Sequence, residues 1–443
     1  MANKISDLAL HAGVVGAGGA GFPTHVKLDA QVDTVILNGA ECEPLMSVDQ
    51  ILMLSFADRL TVMFEEIRQE LGAQQAIIGI KAKHKEAVTE MQRATAHISN
   101  MRIEPLGDFY PAGDEVVLVY ETTGRLIPHS SIPLNIGAVV LNVETLFNIE
   151  QAKKGEVLTQ KWVTVTGAVA HPSTFKVPLG VSVQELLALA GGATIPDYAV
   201  LDGGPMMGRL VEDLTQPVTK TTKGLVVLPL DNPAVSMQLK PLSNILREAR
   251  AMCCQCRLCT DLCPRHLLGY DINPHKSMMA ASFGTAMAGS IPGAYLCSEC
   301  GVCDQYACPM GLSPRRVNQL LKAELLKLGI KNPYVGKKPV IDPMRQFGRI
   351  PTNRLVRRLD LKRYPAFAPF KHTSMEPVRV LLPLKQHIGV ASQPIVKTGD
   401  TVTKGQLIAE KPEGKLGSRI FASISGRVTN CNNDRIEIQA VKS

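Results

Sequence analysis

The chain is poor in aromatic side chains, which make up 5% of its 443 residues, and Trp162 is its one tryptophan. That scarcity argues against the stacking platforms that hold single-stranded nucleic acid, so nucleic acid is not an expected partner. Long apolar runs are also missing. No stretch reaches the roughly 18 uninterrupted apolar residues of a membrane helix, and no membrane span is expected. The opening MANKISDLALHAG lacks a basic segment followed by an apolar one, so it does not read as a secretory signal. Acidic residues are outnumbered, 40 against 48 Lys and Arg, for a net charge of +8. The excess is local: residues 331–372 carry eleven Lys or Arg against Asp342 and Asp360. This stretch is rich in proline and shows no helical or alternating period. The simpler expectation is a solvated basic connector, and the sharper one a docking strip for an acidic partner.

What remains is 45% hydrophobic and 20% charged, the composition of a soluble globular protein, and the length predicts two to four domains.

The eleven cysteines decide the chemistry. Eight fall in two runs, Cys253-x2-Cys256-x2-Cys259-x3-Cys263-Pro and Cys297-x2-Cys300-x2-Cys303-x4-Cys308-Pro. Three thiolates at x2 spacing wrap three irons of a cubane. In two-cluster ferredoxins the distant fourth cysteine ligates the other cluster. One [4Fe–4S] cluster is therefore expected on Cys253, Cys256, Cys259 and Cys308, the other on Cys297, Cys300, Cys303 and Cys263. The gap before Cys308 is one residue longer than the common pattern. Two structural zinc sites would need only x2 pairs and leave the third cysteine of each run idle. Cys254 is expected as an inert neighbour of a ligand, and Cys42 and Cys431 as half-buried thiols.

At the N-terminus, Gly16, Gly18, Gly19 and Gly21 form the loop GAGGAG. It formally contains G-x-G-x-x-G, but a helical pattern precedes it rather than the strand a dinucleotide fingerprint requires. Residues without Cβ still let backbone N–H groups approach a phosphate or a flat ring closely. Around it, DTVILN (33–38) and AIIGI (76–80) read as buried strands, and 57–71 has helical spacing, an α/β pattern.

GAGGAGFPTHVK (16–27), NGAECEP (38–44), YPAGDE (110–115) and NVET (142–145) resemble the flavin-binding subunit of respiratory complex I, and more closely the C subunit of the Rnf complex. VTVTGAVAHPSTFKVPLG (163–180), GGPMMG (203–208) and VTKTTKG (218–224) continue the Rnf-like pattern, and 383–406 resembles that protein's barrel-sandwich hybrid domain. In Rnf the hybrid domain precedes the flavin domain. Here it comes last, an order similar to that of the cobalamin reductases encoded with propanediol-utilisation microcompartments.

The resemblance implies an α/β multidomain fold: a Rossmann-like FMN/NADH domain (1–155), a β-grasp SLBB-like domain (160–232), a helical two-cluster ferredoxin insert (240–330), the connector (331–375) and the hybrid domain (376–443). Carried over by position, Gly16, Gly18, Gly19, Gly21 and Lys27 hold the FMN phosphate and ring edge. Asn38 and Glu41 lie along the flavin, and Tyr110, Gly113 and Asn142 complete its pocket. Phe22, Glu43 and Glu115 border the nicotinamide. The aromatic pair that stacks adenine in the complex I protein has no counterpart after Lys27, where Leu28, Asp29 and Ala30 stand. Hybrid-domain relatives carry biotin or lipoate on a hairpin-tip lysine; the tip here reads Ser423-Ile424-Ser425-Gly426, which argues against that attachment.

NADH gives two electrons as hydride and a cubane takes one, a mismatch a flavin bridges. The resemblance implies electron flow from NADH through FMN and two clusters to cobalamin, supplying cob(I)alamin to a corrinoid adenosyltransferase. The implied location is cytoplasmic, inside or at the shell of a microcompartment. No D-x-H-x-x-G box for a resident corrin occurs. The alternatives are a peripheral electron-input component of an Rnf-type membrane complex, a relay to a microcompartment shell protein, and a zinc scaffold without redox chemistry.

Overall fold

The computed structural model describes residues 4–283 and 291–441. The N-terminal unit is built on a parallel sheet in the order Met101–Leu106, Gln75–Lys81, Thr34–Gly39, Ala138–Asn142. Val35, Ile36 and Leu37 are fully buried, as are Ile77, Ile78 and Ile80, because helices cover both faces of a parallel sheet and leave no side for water. The helix Val48–Glu70 buries Leu52, Met53, Leu60 and Phe64 in the core that also holds Leu37 and Ile78. On the other face, Glu115–Thr123 buries Val117, Leu118 and Val119 beside Ile36 and Val140.

Strand order fixes where a ligand goes. From Thr34–Gly39 the chain builds outward in one direction through the next two strands, then returns to add Ala138–Asn142 on the other side. The crevice at the carboxyl ends of Thr34–Gly39 and Ala138–Asn142 is a topological switch point, the usual ligand position in open α/β sheets.

Residues 160–229 form a mixed sheet, Ser173–Pro178, Gln160–Gly167, Gly224–Pro229, Tyr198–Asp202 and Arg209–Leu210, with the helix Val183–Leu189 packed on it. Ser182 and Glu185 close a capping box at that helix's start, each accepting from the other's backbone N–H. The C-terminal strands form a four-stranded and a three-stranded sheet. Their core is continuous with that of the mixed sheet: Val163, Leu186 and Leu225 share one buried cluster with Val380, Ile408 and Ile436.

The basic stretch is largely exposed and irregular, but it is anchored at its centre. Ile350–Pro351 pairs antiparallel with Phe109–Tyr110, and the helix Thr352–Arg358 follows. Leu355, Leu359 and Leu361 are fully buried. Arg345 and Arg349 both pair with Glu121. So short a helix shows no clear period, which hides it in the sequence.

Candidate functional site

The switch-point crevice collects the flavin-like motifs. Asn38 and Asn142 lie at the carboxyl ends of Thr34–Gly39 and Ala138–Asn142 and stand opposite one another in register. Asn142 caps the next helix by accepting from the Glu144 N–H, and its side-chain amide donates to Asp49 at 3.0 Å. Asn38 donates to the Gly113 carbonyl at 2.9 Å, tying the strand to the turn before Glu115–Thr123. Asp114 caps that helix, accepting from the N–H groups of Val116 and Val117.

The glycine loop lies across this crevice. Gly18, Gly19 and Ala20 are exposed, and a Cβ on Gly18 would meet the Asn142 amide at 3.6 Å. A Cβ on Gly113 would come within 3.2 Å of Ala40 and of the Cys42 sulfur. The crevice floor is thus bare backbone beside two asparagine amides, a shape and donor set that fit a flat ring with a phosphate tail. The Ala17 N–H donates to Thr145 at 2.9 Å, fixing the loop to the same helix as Asn142. Lys27 pairs with Glu115 at 2.9 Å and its ammonium lies 5.9 Å from the Phe22 ring centre, which groups those three residues.

Glu41 is buried, with a φ of 35°, and accepts from the backbone of Asp49 at 2.8 Å and Gln50 at 3.1 Å. Burial and the neighbouring Asp49 push it up to about 7, against the pull of Lys223. Lys223, which belongs to VTKTTKG, is ion-paired with Asp49 and reaches into this corner from the mixed sheet. Sequence reasoning assigned no role to Lys223 or Asp49, although Lys223 sits inside a quoted motif.

Glu43 stands apart from the Lys27–Glu115 pair. Its carboxylate accepts from the N–H groups of Met206 at 3.0 Å and Met207 at 3.1 Å, and from the Tyr110 hydroxyl at 3.3 Å. A Cβ on Gly204 would overlap it at 2.0 Å, so GGPMMG is shaped around this carboxylate. Enclosure raises Glu43 to about 7 despite those donors. Tyr110 is buried and its hydroxyl donates to the Cys300 carbonyl at 2.8 Å, which joins the flavin-like motifs to the cysteine module. Arg265, two residues after Cys263, makes a second tie by donating to Asp114 at 2.9 Å.

The cysteines line two separate openings. Cys253, Cys256, Cys259 and Cys308 surround one of about 360 Å³, and Cys263, Cys297, Cys300 and Cys303 surround another of about 300 Å³. Both loops share one backbone recipe. Gln255 and Glu299 have φ of 54° and 59°, Arg257 and Gly301 φ of 65° and 79°, at matching places between cysteines. Left-handed residues cost about 1 kcal/mol or more each when not glycine. In the second loop Glu299 donates its own N–H to Cys297 at 3.4 Å, and beyond that loop the Leu312 N–H donates to Cys308 at 3.4 Å.

In the inner quartet burial raises Cys297 to about 12, Cys300 and Cys303 still higher, and Cys263 as well; in the outer one it raises Cys259 to about 12 and also lifts Cys308. The four crowded inner thiols, which cannot easily ionise alone, fit iron, whose charge stabilises thiolates. Asp304 and Arg315, paired at 3.2 Å, buttress the second quartet, and Arg315 also donates to the Met206 carbonyl. Cys254 is exposed, and Cys42 and Cys431 are half-buried.

Comparisons with known proteins give the same order of parts. Family models match for the Nuo51 FMN-binding domain at residues 10–151, the SLBB domain at 162–210, a 4Fe-4S dicluster domain at 252–313 and the RnfC barrel sandwich hybrid domain at 362–441. The chain therefore carries an FMN-binding domain and a two-cluster iron–sulfur domain. The C subunit of the Na(+)-translocating ferredoxin:NAD(+) oxidoreductase complex of Acetobacterium woodii is 34% identical over 61% of this chain and 60% of its own. A chain of an NAD+-reducing [NiFe]-hydrogenase overlaps 74% of this chain and 67% of its own at 20% identity and TM-score 0.49, too loose a likeness to carry an inference. Cobalamin reductase PduS of Citrobacter freundii is 42% identical over 439 residues, 99% of this chain and 96% of its own, and PduS of Salmonella typhimurium matches to the same extent. On that near-full-length identity, the chain belongs to the family of the PduS cobalamin reductases.

Proposed function

We propose that the protein uses NADH to reduce cob(III)alamin, by way of cob(II)alamin, to cob(I)alamin, with FMN in the switch-point crevice and a [4Fe–4S] cluster on each cysteine quartet. The observation that carries this reading is the Tyr110 hydroxyl. It belongs to the motif that walls the crevice, yet it bonds to the carbonyl of Cys300. Bound FMN would take electrons in a pair and release them singly, the conversion that links a hydride donor to one-electron centres.

The rest falls to the chain's own side chains. Gly18 and Gly19 leave room for a phosphate against backbone N–H groups, Gly16 and Gly21 close the arms of the loop, and Asn38, Glu41, Gly113 and Asn142 lie below. Phe22 and Glu115 form the side where a nicotinamide would lie, with Lys27, paired to Glu115, at the ring edge. Glu43 and Tyr110 stiffen the wall shared with the inner quartet, Cys263, Cys297, Cys300 and Cys303. The outer quartet, Cys253, Cys256, Cys259 and Cys308, holds the centre nearer solvent, where Cys254 and Cys256 are exposed. With no D-x-H-x-x-G box in the sequence, the corrin is a visiting substrate that docks at this outer centre. The fitting partners are a corrinoid adenosyltransferase, which consumes cob(I)alamin, and a microcompartment shell protein, with the enzyme inside or at that shell.

Anaerobic stopped-flow spectroscopy of the reconstituted protein with NADH, followed by hydroxocobalamin, tests this. Flavin bleaching and then corrin reduction are expected. Flavin and cluster reduction without corrin change would favour electron input to an ion-translocating complex, the reading supported by the Acetobacterium woodii relative.

A further inference from the structure

The C-terminal hybrid domain has no lysine at its tip to carry a swinging cofactor, and its place in the molecule points to a different use. Its turns pack against the glycine-rich loop. The Ile388 N–H donates to the Ala20 carbonyl at 2.9 Å, inside the loop itself. Gly21, with φ of +70°, rests on the same turn. A Cβ there would lie 3.1 Å from the His387 Cβ and 2.7 Å from the Thr221 methyl, so only glycine lets the two segments approach this closely.

The other end of the loop is held in the same manner. Gly13, φ +70°, packs so tightly on the hybrid domain that a Cβ would fall 2.6 Å from the Arg419 carbonyl oxygen. The Gly13 carbonyl accepts from the Ser418 hydroxyl at 3.0 Å and from the Lys220 ammonium at 2.8 Å. Lys220 also donates to the Arg419 carbonyl at 2.5 Å and to the Ser418 oxygen at 3.1 Å, while its backbone N–H donates to the Gln386 side chain at 3.1 Å. Lys220, Gln386, His387 and Ser418 are each at most 7% exposed. One buried ammonium thus joins three units of the chain at the foot of the loop, and the Ile388 N–H fixes its tip.

We propose that the hybrid domain is a brace for the flavin site, holding the 13–21 loop in the shape that receives the FMN phosphate, with Ile388, Ser418 and Lys220 as positioning residues. This rests on the assignment of FMN to that loop. A glycine-rich segment loses more conformational freedom on ordering than any other, so ordering an unbraced loop when FMN arrives would subtract from its binding energy. The domain's continuous core with the mixed sheet makes the brace rigid rather than a hinged flap.

The test uses the full chain with both clusters reconstituted and titrates FMN by fluorescence quenching, with iron, acid-labile sulfide and cluster EPR measured on the same samples. Ile388→Pro removes the N–H that bonds to Ala20 and should weaken FMN binding about tenfold, or about 1.4 kcal/mol. Ser418→Ala is the milder variant, with a loss of roughly threefold, again at unchanged cluster content. FMN affinity within about twofold of the unaltered protein in both variants overturns the brace, as does loss of flavin and iron in equal proportion, which marks general unfolding. Failure of the unaltered protein to take up FMN would overturn the flavin assignment itself, and the brace with it.

Discussion

The two cysteine quartets are built from one backbone recipe and set in different surroundings. Both turn on left-handed residues at matching positions between their cysteines. The inner quartet is nearly enclosed: Cys263, Cys300 and Cys303 are buried, Cys263 packs in the same core as Val117 and Ile36, and the Cys300 carbonyl is bonded by Tyr110. The outer quartet has Cys256 exposed, and Leu258, Met252 and Met310 near it are each 38–41% exposed. Local sequence therefore sets the backbone of each loop, while tertiary packing decides which quartet sits against the N-terminal unit and which is left nearer solvent. An enclosed centre holds its reduced charge away from water and a partly exposed one does not, so the two should differ in potential and in reactivity.

The sharpest way to break the comparison is to remove one ligand from each side. Cys300→Ser and Cys256→Ser should each lower iron by roughly half. Cys300→Ser should leave flavin reduction by NADH intact and stop cluster reduction. Cys256→Ser should leave the inner centre reducible. EPR of NADH-treated protein reads both, and equal behaviour of the two variants would mean that the quartets are interchangeable.

A smaller effect is expected from Tyr110→Phe, which deletes the hydroxyl shared by Glu43 and the Cys300 carbonyl. A buried acceptor left unpaired costs about 1–3 kcal/mol. Chemical denaturation should show that loss, and the potential of the inner centre should shift while the outer one stays put.

The smallest effect concerns pH. Glu43 lies near 7 in the folded protein, above the ordinary glutamate value of 4.5. The folded state therefore holds its proton more tightly than the unfolded chain does. That contribution is fully present below about 4.5 and is lost as pH rises through about 7. Glu43→Gln should flatten the decline in melting temperature between about pH 5 and 7. Glu41, raised for the same main reason, should leave a residual slope.

The sequence made some of this legible and hid the rest, for physical reasons. The cysteine runs are local, so spacing alone groups them. The strands Thr34–Gly39 and Gln75–Lys81 are apolar through their centres because both their faces are covered, and they announce themselves. Tyr110 and Cys300 lie 190 positions apart, and Asp114 and Arg265 lie 151 apart. No local pattern records such pairs. The basic stretch misled because charge dominates its composition, while Leu355 and Leu359, one helical turn apart, carry its packing. The hybrid domain reads as a separate unit in sequence, yet it shares a core with the mixed sheet because both bury strands against the same apolar layer.

The most direct test of the central claim, that electrons enter beside the inner quartet and leave from the outer one, is hydroxocobalamin reduction by NADH-reduced Cys256→Ser protein in an anaerobic stopped-flow. The flavin should bleach and the inner centre should reduce, both at the unaltered rate, with corrin reduction lost. Corrin reduction at the rate of the unaltered protein would contradict that claim and place the exit at the inner quartet or at the flavin.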